Sequence, residues 1–193
     1  MIGIGYGHIS SASLKRANGG DVVRAKGVGA GRRSTMIALE TILLPTDGSE
    51  CSRKALTYAL SFAQRFGARI VALHVIERRW EEQPQRVSGG QRPEVIREAQ
   101  ERHAEEVRQI LAEVGDAGAK VGVAVESRVM TGTPVEQIVR TAQDFPVDLI
   151  IMGTHGRTGI SHVFLGSVAE RVVRYAPCPV LTVRLRGHEF IAP

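Results

Sequence analysis

The prediction of the fold starts from residues 147–184, which read VDLIIMGTHGRTGISHVFLGSVAERVVRYAPCPVLTVR. Its first apolar run, Leu149 to Met152, has no polar alternation and therefore predicts a buried parallel strand. A glycine-rich loop follows, then Gly166 and Ser167, and then the helix-like segment VAERVVRY. Because a helix N-terminus presents backbone N–H groups and a positive dipole, this succession predicts an anion site, with phosphate as the usual ligand.

The residues of this loop also have a purely structural interpretation. Gly153, Gly156 and Gly159 allow either positive φ angles or the close approach of another group. Ser167, followed three residues later by Glu170, fits a capping box and is predicted to be the N-cap residue. Glycines also punctuate ordinary turns, and serine also caps ordinary helices. From these residues alone, a phosphate site and a bare turn both stay open.

The chain before this stretch alternates strands and helices. Apolar runs predict strands at residues 41–44, 70–76, 121–130, 149–152 and 179–184, and amphipathic segments predict helices at residues 51–66, 93–114, 134–145 and 168–175. Gly67 ends the first helix, and Thr133 with Pro134 predicts a capping box at the start of the third. Strands separated by helices predict a single open parallel α/β sheet with helices on both faces. Periodicity does not give the strand order.

Three separate motifs resemble the universal stress protein family. Gly153, Gly156 and Gly166-Ser167 match the G-x2-G-x9-G-[ST] nucleotide signature of the ATP-binding branch of that family. The segments ILLPTDGSECSRKALTYAL and IVALHVIE resemble its first two strands, in the same order along the chain. The resemblance spans residues 36–186. It implies a Rossmann-like adenine-nucleotide-binding fold with the strand order 3-2-1-4-5.

That strand order places a crevice at the carboxyl ends of strands one and four, where ligands bind in such sheets. The resemblance implies that the ligand is ATP, with Mg²⁺ as an optional companion. Gly166 and Ser167 are expected to hold phosphate oxygens, and Val75 to recognise adenine through its backbone. Asp47 is expected to bind the ribose hydroxyls or the divalent cation, although it can equally stabilise an Asp-Gly turn. The candidate cofactor-binding residues are Pro45, Thr46, Asp47, Val75, Met152, Gly153, His155, Gly156, Gly166, Ser167 and Val168.

Two functions stay open at this stage. The preferred one is a nucleotide-binding stress-response module that acts as a dimer, and the resemblance implies an isologous homodimer joined through the exposed edge of the fifth strand. The alternative is a slow ATPase or self-phosphorylating enzyme. The candidate groups for phosphoryl transfer are Asp47, His155, Arg157 and Ser167, but no pattern among them identifies a base. We therefore assign no catalytic residue and no metal ligand. A nucleotide-free dimer is disfavoured because the glycine signature is intact.

Other nucleotide and acyl-transfer motifs are missing from the sequence. It contains no Gly-Lys-Ser or Gly-Lys-Thr of a P-loop and no G-x-G-x-x-G after the first strand, which argues against NAD. It also contains no G-x-S-x-G nucleophile elbow.

The formal net charge of +5 is concentrated at the N-terminus. Six of the 25 Lys and Arg residues and one of the 20 Asp and Glu residues fall in the first 35 positions, so the remainder is formally neutral. Because nucleic-acid binding requires clustered basic residues, we expect no such partner for the folded part. Residues 1–35 are predicted to form a disordered basic arm rich in Gly and Ser, with Met36 as an alternative start. Residues 36–186 form the predicted domain, and residues 187–193 a short tail.

Targeting and redox signals are weak. No run approaches about 18 apolar residues, so we expect no membrane span, and no secretory signal is recognised. Cys51 and Cys178 are the only cysteines, too few for a disulfide framework or a zinc site. A reducing, cytoplasmic location is therefore expected.

Overall fold

The computed structural model describes residues 38–77, 93–156 and 165–185, which all belong to one compact unit spanning residues 36–193. Its elements are β1 (Thr41–Pro45), α1 (Glu50–Phe66), β2 (Arg69–Ile76), α2 (Pro93–Lys120), β3 (Val125–Thr131), α3 (Pro134–Asp144), β4 (Leu149–Gly153), α4 (Ser167–Tyr175) and β5 (Val180–Val183). The predicted arm of residues 1–35, the tail of residues 187–193, and Arg157 and Gly159 lie outside the described residues.

The five strands form one parallel sheet in the order β3-β2-β1-β4-β5, which confirms the predicted fold class and strand order. The central strand β1 is buried along its whole length. Its side chains belong alternately to two apolar clusters, because successive residues of a strand point to opposite faces of the sheet. Ile42 and Leu44 pack with residues of α1 and α2, whereas Leu43 packs with residues of α3 and α4. Helices therefore cover both faces of the sheet.

A crevice begins where β1 and β4 stop pairing. Their register runs through Ile42↔Leu149 and Leu43↔Ile150 and ends there, although β4 continues to Gly153. The amide of Thr46 donates to Leu73 on β2, so the missing amide of Pro45 falls on the side that faces β4. Proline has no N–H to donate, so the ladder cannot continue at this position. The sequence therefore opens the sheet at the carboxyl end of its central strand.

Two predicted boundaries around β3 are wrong. Helix α2 continues to Lys120 instead of ending near Val114, and β3 begins at Val125 instead of at residue 121. Gly118 does not break the helix: an added Cβ there would collide with the Val125 side chain, so this glycine gives room to the returning strand. The chain turns four residues later, at Gly122 with φ 72°.

The predicted helix ends are partly confirmed. Gly67 ends α1 in the left-handed conformation, with φ 69°. Thr133 is the N-cap residue of α3 and Pro134 follows it, but Thr133 makes no side-chain capping bond. The prediction that Ser167 caps α4 is wrong, because the N-cap is Gly166 and Ser167 is the first helical residue. Gly166 is extended, with φ −68° and ψ 154°, and its carbonyl accepts the first helical bond.

Candidate functional site

The loop after β1 is an Asp turn that leads into α1. Asp47 Oδ1 accepts a hydrogen bond of 3.0 Å from the Ser49 amide, so the turn-stabilising role considered for Asp47 is present. Ser49 in turn is the N-cap of α1 and accepts a bond of 3.2 Å from the Ser52 amide. The second carboxylate oxygen, Oδ2, lies against the glycine loop, because a Cβ built on Gly156 would be 2.6 Å from it. The loops after β1 and β4 therefore meet at Asp47 and Gly156.

The three signature glycines that the structure describes are explained by close approach. A Cβ on Gly153 would lie 3.0 Å from both the carbonyl carbon and the sulfur of Cys51. A Cβ on Gly166 would lie 2.8 Å from the Thr154 carbonyl oxygen. Neither Gly153, Gly156 nor Gly166 has a positive φ angle. These glycines are therefore explained by the close approach of another group and not by a positive φ angle. In each case that group belongs to the protein itself.

The amide of Gly166 is engaged within the protein. It donates a 2.8 Å hydrogen bond to the carbonyl of Thr154, so the amide that was predicted to hold a phosphate oxygen already has a partner in this structure. Thr154 is only 2% exposed, and its own amide donates to Val183 on β5. This bond brings the start of α4 directly beside the end of β4. The bond does not involve Ser167, whose predicted phosphate role stays a prediction.

The N-cap residue of α4, Gly166, supplies no side-chain cap. The first helical bond runs from the Glu170 amide to the Gly166 carbonyl, over 2.9 Å. The amides of Ser167, Val168 and Ala169 precede that bond, so no residue within the helix can accept from them. Gly166 has no side chain to cap them, whereas α1 is capped by its own serine. Among residues 38–77, 93–156 and 165–185, none accepts a hydrogen bond from these three amides, which lie at the positive end of the helix dipole.

Val75 lies on the opposite side of the crevice, near the end of β2. Ile70 and Ile76 form main-chain hydrogen bonds toward β3, so the odd-numbered residues of β2 direct their N–H and C=O groups toward β1. At the level of Val75, however, β1 has already ended at Pro45. Val75 is half-buried, whereas its two neighbours are buried. Its main-chain polar groups therefore lie at the edge of the crevice.

The remaining predicted residues surround this crevice. His155 Nδ1 lies 3.0 Å from Thr154 Oγ1 on the loop between β4 and α4. Met152 is 5% exposed and belongs to the apolar cluster beneath α3 and α4, and Val168 packs against that cluster. Pro45 and Thr46 are buried at the end of β1. The structure thus gathers the predicted residues at the carboxyl end of the sheet.

Sequence reasoning missed Thr154 and the structural role of Cys51. Thr154 connects β4, β5 and α4 through its main chain, as described above. Cys51 Sγ donates to the Val183 carbonyl over 3.1 Å and also lies 3.7 Å from Thr154 Oγ1. The only signal for Thr154 was its position between two signature glycines. Cys51 gave none, because a lone cysteine carries no spacing pattern.

Within residues 38–77, 93–156 and 165–185, no three His, Cys, Asp or Glu side chains are grouped as metal ligands. In the same three segments, no helix is both long enough and apolar enough to cross a membrane.

The fold and the crevice define a class of protein. An open parallel sheet with a switch point between β1 and β4, an Asp turn and an uncapped helix start is typical of Rossmann-like nucleotide-binding folds. A sequence profile described as the Universal stress protein family matches residues 38–184. The chain belongs to this family.

Individual relatives agree with this assignment. Universal stress protein MJ0531 of Methanocaldococcus jannaschii is 35% identical over 144 residues, which cover 74% of this chain and 81% of that protein. Universal stress protein MJ0577 of the same organism is 33% identical over 161 residues, covering 78% and 98%. A solved structure of MJ0577 matches with a TM-score of 0.66 at 32% identity and covers 79% of this chain and 100% of its own.

Two further solved structures share the fold at lower identity. A universal stress protein in complex with cAMP matches at 24% identity with a TM-score of 0.58, covering 78% of this chain and all of that one. A family protein from Arabidopsis thaliana with AMP bound matches at 20% identity with a TM-score of 0.55, covering 75% and 91%. The cAMP and the AMP belong to those two proteins, and their likeness to this chain shows a shared fold.

Proposed function

We propose that this chain binds ATP in the crevice between β1 and β4 and acts as a cytoplasmic, homodimeric stress-response module whose nucleotide occupancy changes the surface offered to partners. The observation that carries the proposal is the uncapped N-terminus of α4 beside the loop that holds Asp47. Family membership supports the same ligand class, and so do the cAMP and AMP complexes of proteins with this fold.

The phosphates are assigned to the start of α4. Ser167 offers both an amide and a hydroxyl, and Val168 offers the next amide of the first turn. Main-chain donors at a helix N-terminus bind phosphate oxygens through charge-assisted hydrogen bonds. The loop of His155 and Gly156 runs beside them. We assign no phosphate contact to the Gly166 amide, because it already bonds to Thr154.

The sugar and the base are assigned to the two other strand ends. Asp47 keeps acceptor capacity beyond its bond to Ser49, since an ionised carboxylate has about four lone-pair sites. It can therefore accept hydrogen bonds from ribose hydroxyls, or bind a magnesium ion that also contacts the phosphates. Val75 offers one N–H and one C=O at the edge of the crevice. This pair matches the ring-nitrogen acceptor and amino donor on the Watson–Crick edge of adenine.

Ser167→Pro tests the phosphate assignment. Proline is tolerated at the first position of a helix, and the extended Gly166 before it, with ψ 154°, suits a residue that precedes proline. The substitution removes one amide and one hydroxyl and leaves the helix intact. We expect the melting temperature without nucleotide to change little and the affinity for ATP to fall by at least tenfold. Ser167→Ala, the matched control, removes only the hydroxyl and should have a smaller effect. If Ser167→Pro binds ATP as tightly as the wild type, the assignment of the phosphates to the start of α4 is wrong.

Identification of the native ligand requires the protein as purified. Small molecules released from fresh protein should include an adenine nucleotide when analysed by mass spectrometry. Incubation overnight with ATP and magnesium, followed by product analysis, separates a binding module from a slow ATPase. Steady release of ADP would contradict the proposed binding module and favour the slow ATPase.

The homodimer is assigned to β5. This strand is an edge of the sheet, and Val180, Leu181 and Thr182 are only partly buried. An edge strand with unpaired main-chain groups can pair with a second copy about a two-fold axis. Light scattering at micromolar concentration should give the mass of a dimer. A monomer mass at that concentration would contradict this part of the proposal.

A further inference from the structure

His74 is a buried histidine that binds the end of the central strand. It lies on β2 and is 5% exposed, and its Nδ1 is 2.8 Å from the carbonyl oxygen of Thr46. A carbonyl only accepts hydrogen bonds, so Nδ1 must carry the proton and donate it. The amide of Thr46 meanwhile donates to the Leu73 carbonyl over 2.9 Å. Both main-chain groups of Thr46 are therefore held by β2, one by its backbone and the other by a side chain.

A regular parallel ladder would pair these residues differently. A residue that donates to one position of the neighbouring strand accepts from the amide two positions further along. Because Thr46 donates to Leu73, the next bond of the ladder would run from the Val75 amide to the Thr46 carbonyl. No main-chain bond joins these two described residues, and β1 accordingly ends at Pro45. The imidazole of His74 occupies the carbonyl instead.

We propose that His74 is a positioning residue for the adenine edge of the nucleotide site. By donating to the Thr46 carbonyl, it replaces the Val75 amide as the partner of that carbonyl and leaves the amide directed into the crevice. This inference rests on the proposed function, because it gives the Val75 amide the role of a donor to the base. The same bond fixes Thr46, which directly precedes Asp47, so one side chain orients the groups assigned to both base and ribose.

The chemistry of the site predicts selectivity for adenine over guanine. Adenine presents a ring-nitrogen acceptor and an amino donor on its Watson–Crick edge, which complement an N–H and a C=O. Guanine presents a ring N–H and a carbonyl in the corresponding places, so donor faces donor and acceptor faces acceptor. A Val75 amide drawn back to Thr46 would lose this discrimination. Inorganic tripolyphosphate has no base and should not be affected.

Two substitutions distinguish the effect of the hydrogen-bond donor of His74 from the effect of its side-chain volume. Asparagine places its amide nitrogen at the position of Nδ1, two bonds beyond Cβ, so His74→Asn keeps the donor. His74→Leu has a similar branching pattern without a donor. In His74→Leu the Thr46 carbonyl loses this partner, and the donor that a regular parallel ladder would supply in its place is the Val75 amide. A buried carbonyl without a partner is unfavourable, which favours this rearrangement.

The first measurement needs no nucleotide. Amide hydrogen exchange by NMR should show that Val75 exchanges at least tenfold faster than Leu73 in the wild-type protein, because only Leu73 is held in the ladder. In His74→Leu the exchange of Val75 should slow by at least tenfold, and in His74→Asn it should match the wild type. Strong protection of Val75 in the nucleotide-free wild type would overturn the inference, even if His74→Leu does not fold.

The second measurement uses ATP, GTP and tripolyphosphate as separate probes. His74→Leu should bind ATP about tenfold more weakly, the effect of about one hydrogen bond, and should lose its preference for ATP over GTP. Its affinity for tripolyphosphate should not change. Equal losses for ATP and tripolyphosphate would show that the substitution merely damages the site, which contradicts a positioning role. If the wild type binds none of these probes, the proposed function fails, and the exchange measurements still decide whether His74 controls the Val75 amide.

Discussion

Replacing Gly156 with alanine tests whether Asp47 takes part in binding nucleotide. The added Cβ would lie 2.6 Å from Asp47 Oδ2 and 3.7 Å from its Cγ. The first distance is too short for a carbon–oxygen contact, so the carboxylate must move. Movement of the carboxylate weakens its 3.0 Å bond to the Ser49 amide. Gly156 is exposed and has no positive φ angle, so alanine introduces no backbone strain of its own. In the protein without nucleotide, the effect should therefore fall mainly on Asp47.

The expected magnitude follows from one displaced charge-assisted interaction. Losing it weakens ATP binding by about tenfold, or about 1.4 kcal/mol. ATP at about 100 times the wild-type Kd stabilises the wild-type protein by about 2.7 kcal/mol, and the variant at the same ATP concentration by about 1.4 kcal/mol. For a chain of this size, ATP should raise the Tm of the wild type by about 5–10 °C and that of Gly156→Ala by about 3–6 °C.

The assay is thermal denaturation with and without ATP, and Gly67→Ala is its control. Gly67 has φ 69°, and no atom lies within 4 Å of its added Cβ, so alanine there is strained without meeting a neighbour. Gly67→Ala should cost about 1 kcal/mol of stability and retain the full ATP-dependent increase in Tm. The reasoning is refuted if Gly156→Ala retains the full increase, because Asp47 would then have been displaced without consequence.

Three further outcomes depend on other parts of the fold. Gly115→Ala should stabilise the protein by about 1 kcal/mol in urea unfolding, because Gly115 is helical and its added Cβ meets no atom within 4 Å. Gly118→Ala should instead destabilise it by about 1–3 kcal/mol through collision with Val125, and equal effects from the two substitutions would contradict the close approach of β3. Burial, followed by the nearby charge of Asp148, raises the pKa of the Cys178 thiol. The thiol then ionises at lower pH in the unfolded chain than in the folded one, so stability should decline as pH rises above the pKa of a free thiol. Cys178→Ala should remove that decline in pH-dependent unfolding; an unchanged decline would contradict it.

The layers of the fold were predictable from the residues alone, but the order of the strands was not. The run of apolar residues in β1 indicates a strand that is buried on both faces, which is typical of a parallel α/β sheet covered by helices on both sides. Periodicity reports how deeply a strand is buried and not which strands lie beside it. The order came from the family resemblance. The predicted helix end near Val114 and the predicted strand start at residue 121 were wrong, because the local pattern does not reveal that Gly118 is a helical residue that makes room for Val125.

The place where the candidate site residues gather was predictable from the sequence, but the hydrogen bonds among them were not. The spacing of Gly153, Gly156 and Gly166 indicates that something approaches the backbone closely, and it does not say whether that group is a ligand or the protein. In this structure the groups beside these glycines are Cys51, Asp47 and Thr154. The engagement of the Gly166 amide depends on a carbonyl twelve residues earlier in the chain, which no local pattern reveals.

The crevice exists because the main-chain pairing of β1 with β2 and its pairing with β4 end at nearly the same position along β1. Pro45 has no amide for the next bond to β4, and the carbonyl of Thr46 is held by the ring of His74 in place of an amide of β2. Pro45 alone would separate β1 from β4 and leave β2 paired. The bond from His74 to Thr46 alone would separate β1 from β2 and leave β4 paired. Together they leave the Asp47 turn between two separated strand ends, with the Val75 main chain on one side and the start of α4 on the other. The proposed nucleotide needs different surroundings for its flat base and its charged phosphates, and the crevice offers one on each side of the Asp47 turn.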